Sequence, residues 1–125
     1  MHSPILTQAI VELYLEKGLL PGHLTRICAA YREQLNTMLE GFAHFPEGTK
    51  HTVPQGGLFV WAELPEGIDA MAALNRAIDQ NVAFVPGAHF YPDGGHATTL
   101  RLNFSMQEAE VIRAGMERLG RAIKG

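Results

Sequence analysis

Among the side chains of this 125-residue sequence that could do chemistry, Arg101 has the most informative surroundings. It stands in the middle of Thr99-Leu100-Arg101-Leu102-Asn103-Phe104, where apolar and polar residues alternate strictly. That period predicts a strand with Leu100, Leu102 and Phe104 on one face and Thr99, Arg101 and Asn103 on the other. A guanidinium offers a planar fork of donors that matches the two oxygens of a carboxylate. The commoner role for such an arginine is a surface or interdomain salt bridge. Ion pairing and capture of a carboxylate ligand therefore stand side by side as roles for Arg101.

Other residue types offer less. His44 with His51 and His89 with His96 are each seven apart. Neither pair falls on a helix that would bring both rings to one face, so no metal site is expected. Ser3 and Ser105 are the only serines, and both read as helix caps, which leaves hydrolase chemistry without a nucleophile. The single Cys28 falls in an apolar helical stripe and is expected to be a buried, inert thiol. Gln55-Gly56-Gly57 precedes a strand and not a helix, which argues for a tight turn or a close backbone approach and against a phosphate cradle.

The elements that must position these residues follow from pattern. Pro4 at a first helical position, preceded by Ser3, opens a helix with Ile5, Leu6, Ala9, Ile10, Leu13 and Tyr14 at helical spacing. Gly18 and Pro21-Gly22 are expected to close it. A second helix carries Leu24, Ile27, Cys28, Tyr31, Leu35, Met38 and Leu39 and stops at Gly41. A polar stretch around Thr52-Val53 suits a short edge strand. Leu58 to Leu64 then reads as a strand covered on both faces. Asp69 caps a helix from Ala70 to about Gln80 whose inward positions are Met71, Leu74 and Ile78. Val82 to Val85 forms a short strand. Ala88 to Thr98 is a loop that carries Phe90 and Tyr91. Ser105-Met106-Gln107-Glu108 fits a capping box before a last helix with Ile112, Met116, Leu119 and Ile123 inward. The expectation is one α+β domain over residues 1–125, a two-layer α/β sandwich in the order α-α-β-α-β-β-α. A small, mostly antiparallel sheet packs on helices, with opening helices over 1–42 and a sheet-and-helix core over 52–125.

Composition sets the class. Ten Lys and Arg against 13 Asp and Glu give a net charge of −3, with no basic block for tracking phosphates, so no nucleic-acid surface is expected. The hydrophobic fraction of 46% and charged fraction of 18% are those of an ordinary globular protein. No apolar run approaches the ~18 residues of a membrane span, and no secretory leader pattern opens the chain. With one cysteine, a reducing cytoplasmic setting is the expectation.

Four blocks in order carry a resemblance. Pro54-Gln55-Gly56-Gly57-Leu58-Phe59-Val60-Trp61, Leu64-Pro65-Glu66-Gly67, Val82-Ala83-Phe84-Val85-Pro86-Gly87 with Phe90, and Thr99-Leu100-Arg101-Leu102-Asn103-Phe104 resemble the C-terminal small domain of fold-type I pyridoxal-phosphate-dependent aminotransferases. The likeness runs from the Ser3-Pro4 helix to the last helix and points to the class I/II branch with 2-aminoadipate aminotransferases and MocR-type regulators. It implies that Arg101 binds the α-carboxylate of an amino acid or 2-oxo acid. It also implies that Gly56, Gly57 and Phe90 lie at the mouth of the active site. An anchored carboxylate holds the Cα–H bond in a fixed orientation to the cofactor ring, and each charge-assisted hydrogen bond contributes roughly 1.5–3 kcal/mol.

The same resemblance implies a pyridoxal phosphate cofactor bound mainly by a preceding large domain, and a homodimeric full-length protein. Lys17, Lys50 and Lys124 are the only lysines, and none sits in the context of the family's Schiff-base lysine. No catalytic and no cofactor-binding residue is therefore assigned within the chain, which by itself is expected to be inactive. Two further readings remain: a free-standing carboxylate-binding or interaction module, and the C-terminal part of a MocR-type regulator.

Overall fold

A computed structural model describes residues 4–125. The cap expected of Ser3 lies outside the described residues. The backbone forms two compact units, one reaching to Arg32 and the other Glu33–Gly125. Helix α2, Leu20–Gly41, contributes to both.

In the first unit, α1 spans Ile5–Glu16 and buries no residue. Its apolar side chains are largely solvated, with Ile5 79% and Leu6 74% exposed. The helix ends where the sequence says it should, for a specific reason. Gly18 takes φ +66°, so its N–H reaches the Leu15 carbonyl at 3.0 Å and the Leu19 N–H reaches that of Tyr14 at 3.4 Å. This is a Schellman closure, and only glycine adopts that backbone without a Cβ penalty. Pro21 and Gly22 do not extend the break as expected: α2 begins at Leu20 and takes both into its first turn. First-turn N–H groups have no intrahelical acceptor, so a proline there removes nothing. Cys28 is exposed, contrary to the buried thiol expected from the stripe.

The second unit holds a four-stranded antiparallel sheet in the order β1-β2-β4-β3. The strands are β1 Lys50–His51, β2 Phe59–Glu63, β3 Val85–Pro86 and β4 Thr99–Asn103. Helices α3, Ala70–Asp79, and α4, Ala109–Lys124, complete an α+β fold. Alternation in the two central strands sends Val60, Ala62, Leu100 and Leu102 into the core, each at most 4% exposed. Ile112, Met116, Leu119 and Ile123 of α4 are buried as their spacing predicts.

Helix α3 differs from expectation by one position on the helical wheel. Ala70, Ala73 and Ala77 are the buried residues, while Met71 and Ile78 are 42% and 54% exposed. Alanines let α3 approach α4 closely, and the larger side chains are displaced to the flanks. The helix start is as read: the Asp69 carboxylate accepts from the Met71 N–H at 2.8 Å. Arg76 on α3 donates from Nε to the Ala122 carbonyl at 2.6 Å and from Nη2 to that of Ile123 at 3.3 Å. It thereby supplies donors to last-turn carbonyls of α4 that have no helical partner.

Two glycines set how close α4 comes. A Cβ at Gly41 would meet the Met116 Cβ at 2.4 Å, and one at Gly120 would meet the His44 carbonyl oxygen at 2.4 Å. Gly41 is therefore a contact glycine as well as the last residue of α2.

Five smaller expectations are corrected. The capping box fails because the Asn103 side-chain oxygen takes both the Ser105 N–H and the Ser105 hydroxyl at 2.7 Å, so α4 starts at Ala109 with Glu108 before it. The edge strand near Thr52 is Lys50–His51, and the strand at Val82–Val85 shrinks to Val85–Pro86. Pro86 lacks an N–H and is accommodated because β3 lies at the sheet edge. The stretch expected to be a loop begins with a 3-10 turn, Gly87–Phe90. Finally, β2 is not covered on both faces: Phe59 and Glu63 are exposed and Trp61 is half-buried.

Candidate functional site

The uncovered face of the sheet carries Arg101. Its register neighbours are Trp61 on β2 and Val85 on β3, and Phe59 lies diagonally opposite through the Phe59–Asn103 pair. Diagonal cross-strand neighbours are within reach of long side chains. The Arg101 guanidinium carbon accordingly sits 4.0 Å from the Phe59 ring centroid. A second ring, that of Phe90 from the 3-10 turn, lies 4.7 Å away. Both distances are inside the range of cation–π attraction.

What Arg101 lacks is equally telling. Among the described residues it makes no hydrogen bond and no ion pair, and its Nε is buried without an acceptor. Other arginines of the same unit do find acids: Arg113 pairs with Glu110 and Arg121 with Glu117, the latter at 3.0 Å. A buried donor without a partner costs about 1–3 kcal/mol, so its retention calls for an explanation. The surface salt bridge left open by the sequence is not formed within the described residues.

An aromatic wall extends from this point. Trp61 meets Phe90 edge-on at 5.8 Å and Tyr91 at 6.1 Å, and Tyr91 stacks on His96 at 3.7 Å. The Gly87–Phe90 turn is held against the sheet by a close approach. A Cβ at Gly87 would meet the Thr99 hydroxyl at 2.0 Å and the Trp61 ring at 3.0 Å. His96 takes φ +63°, and its carbonyl accepts both the Thr99 N–H at 3.1 Å and the Thr99 hydroxyl at 2.7 Å. Beside Arg101 runs an open groove of about 800 Å³, bordered in part by Phe59, Val85, Asn103, Met106 and Val111. Its lining is mostly apolar, as small-molecule sites generally are.

The structure thus brings two of the predicted site residues together, Arg101 and Phe90. Gly56 and Gly57 lie in the turn that leads into β2, where Gly57 has φ +79° and a Cβ at either would meet nothing within 4 Å. They shape a turn and make no close packing contact. Phe59, Trp61 and Tyr91 escaped the reading of the sequence. The signal was present for the first two, because both have the parity of outward-facing residues on β2, but only the β2–β4 register puts them beside Arg101.

The histidines find other uses: His51 stacks on Phe42 at 4.2 Å and His96 on Tyr91. Among the described residues no three His, Cys, Asp or Glu side chains gather as a metal site would require. Among the same residues, no helix is long and apolar enough to cross a membrane.

In class, this is an α+β unit that holds a guanidinium, unpaired among the described residues, against aromatic rings on the open face of its sheet, a donor fork whose chemistry suits a carboxylate. Comparison with known proteins makes the class specific. Residues 1–119 match the model of the aminotransferase class I and II family, and the chain belongs to that family. It is 42% identical over 126 residues to the 2-aminoadipate transaminase of Thermus thermophilus, covering 100% of this chain and 32% of that protein. It is also 42% identical to aromatic-amino-acid aminotransferase 1 of Thermococcus litoralis, covering 94% of this chain and 28% of that one.

The crystal structure of a Thermus thermophilus α-aminoadipate aminotransferase, complexed with N-(5'-phosphopyridoxyl)-L-leucine, superposes with a TM-score of 0.91. That match has 42% identity and covers 99% of this chain and 32% of the other. An uncharacterised HTH-type transcriptional regulator of Escherichia coli matches at 25% identity, over 94% of this chain and 25% of that protein. The chain spans about a third of the length of the curated transaminases it matches.

Proposed function

We propose that this chain is the substrate-side part of a pyridoxal-phosphate-dependent aminotransferase that moves an amino group between an L-amino acid and a 2-oxo acid. The single observation that carries the reading is Arg101: a guanidinium on an open sheet face, contacted by two rings and paired with no acid among the described residues. An α-carboxylate is the partner such a group suits, and it is common to both substrates of a transamination. When bound, the cofactor supplies the electron sink for the carbon chemistry.

Arg101 supplies position. Two parallel N–H···O bonds from its fork fix the direction of the carboxylate as well as its distance, which restricts rotation about the substrate's Cα. The rings of Phe59, Trp61 and Phe90 beside those donors lower the local dielectric and so strengthen the pairing. Residues that bind the cofactor, including its lysine, belong in this reading to the two thirds of the relatives' length that this chain does not span. The 125 residues by themselves would then not transaminate, and the complete protein would act as a homodimer in the cytoplasm. The 42% identity to two aminotransferases against 25% to a regulator favours the enzyme reading over the regulator reading.

A chimaera tests this directly. The corresponding third of the Thermus thermophilus 2-aminoadipate transaminase is replaced by this chain, and amino transfer is followed with pyridoxal phosphate present. Cofactor-dependent transfer is expected, and Arg101→Ala should lower kcat/KM by about 10²-fold or more, mostly through KM. A chimaera that binds the cofactor, yet is as active with Arg101→Ala as without it, would sink the proposal.

A further inference from the structure

We infer that Phe90 is a positioning residue for Arg101, a ring that holds the guanidinium so that Nη1 and Nη2 face an incoming carboxylate end-on. The inference deepens the carboxylate-anchor reading and rests on it. An arginine side chain has several rotatable bonds, and fixing it costs entropy that an ion pair or hydrogen bonds ordinarily offset. Neither holds Arg101 among the described residues, and its Nε is buried without an acceptor. The orientation of the guanidinium is left to the two rings that touch it, Phe59 at 4.0 Å and Phe90 at 4.7 Å. With Nε shut away, the donors that remain for a ligand are those on Nη1 and Nη2, so the carboxylate is taken end-on and not from the side.

The two rings differ in origin. Phe59 is fixed by the ladder, because its strand pairs residue for residue with the strand that bears Arg101. Phe90 comes from the 3-10 turn and is 47% exposed, more than a core packing role requires. Its place is nevertheless set. Gly87, three residues earlier, is pressed against Thr99 and Trp61, and Trp61 meets the Phe90 ring edge-on at 5.8 Å. The Gly87–Phe90 turn thus delivers one ring to one cation.

The test uses the 125-residue chain, with Arg101 side-chain resonances read by NMR and pyruvate as the probe. In the parent, ring currents should displace the Arg101 Nε–H and Cδ proton signals. Phe90→Leu, which keeps apolar bulk, should reduce that displacement and weaken pyruvate roughly two- to fivefold, while Phe90→Tyr should restore both. The thermal midpoint should stay near the parent's in each variant, so that the Arg101 signals report on positioning and not on a loss of fold. If Phe90→Leu leaves the Arg101 signals unmoved, the positioning role is wrong whatever the affinity. If pyruvate binding is lost in Arg101→Ala but unchanged in Phe90→Leu, the anchor stands and the positioning role falls. Pyruvate binding that survives Arg101→Ala would remove the anchor itself.

Discussion

Helix α4 contains two glycines, and the same substitution at each should shift stability in opposite directions. At Gly115 a Cβ would meet nothing within 4 Å, so Gly115→Ala changes only the backbone's freedom. Alanine in a helix interior is favoured over glycine by roughly 0.5–1 kcal/mol, and that is the expected gain. Gly120→Ala starts with the same gain and then meets three atoms of His44: the carbonyl oxygen at 2.4 Å, its carbon at 2.8 Å and Cβ at 2.8 Å. Two of these are backbone and cannot swing aside. To accommodate the methyl, α4 must withdraw from the Phe42–His44 turn, loosening Met116, Leu119 and Ile123, which are 1–3% exposed. Overpacking of this kind costs roughly 1–3 kcal/mol, leaving a net loss of up to about 2.5 kcal/mol after the helical gain.

Urea unfolding followed by helix circular dichroism measures both. For a unit of this size 1 kcal/mol corresponds to roughly 4–8 °C in Tm, so the two variants should bracket the parent clearly. An increase in stability for Gly120→Ala comparable to that for Gly115→Ala would refute the claim that Gly120 marks a backbone contact. Unchanged m-values are part of the expectation, since neither substitution alters the surface exposed on unfolding.

Two further outcomes follow from local hydrogen bonds. Asp69→Ala removes the acceptor of the Met71 N–H and should cost about 1 kcal/mol, with Asp69→Ser recovering most of it, as read from urea midpoints. Arg76→Ala removes the donors to the Ala122 and Ile123 carbonyls, and amide exchange in the last turn of α4 should quicken roughly two- to fivefold while exchange in β2 and β4 stays unchanged.

The parts of this fold that could be read from sequence are those set by local period. Ile112, Met116, Leu119 and Ile123 recur at helical spacing and are buried, and Leu100, Leu102 and Phe104 alternate into the core. Readings that failed depend on what lies across the gap. Helix α3 shows this well: a search for large apolar residues selects Met71, Leu74 and Ile78, yet close approach to a neighbouring helix favours the alanine row beside them. Similarly, Ser105 has the spacing of a capping box, but Asn103 captures it first and delays the helix to Ala109. Gly41 reads as a stop signal until Met116 is seen against it. Cys28 reads as buried because a stripe of apolar residues says which side of a helix could be covered, not whether anything within the described chain covers it.

Arg101 combines both situations. Its parity on β4 was legible, and so was the fork chemistry that suits a carboxylate. That it meets no acid among the described residues was not, because 13 acidic residues are available in the sequence and only the fold decides which cations they meet. Glu110 and Glu117 are taken by arginines one helical turn away, as local spacing on α4 dictates. Across the sheet from Arg101 the register supplies Trp61 and Val85, and diagonally Phe59, all apolar or aromatic. A cation with such neighbours is attracted to the rings by roughly 0.5–1 kcal/mol each at exposed sites, enough to orient it but far less than a bidentate carboxylate would add. On the proposed reading the site is therefore biased toward a ligand: the rings would align the guanidinium and leave its strongest interaction for a carboxylate that binds there.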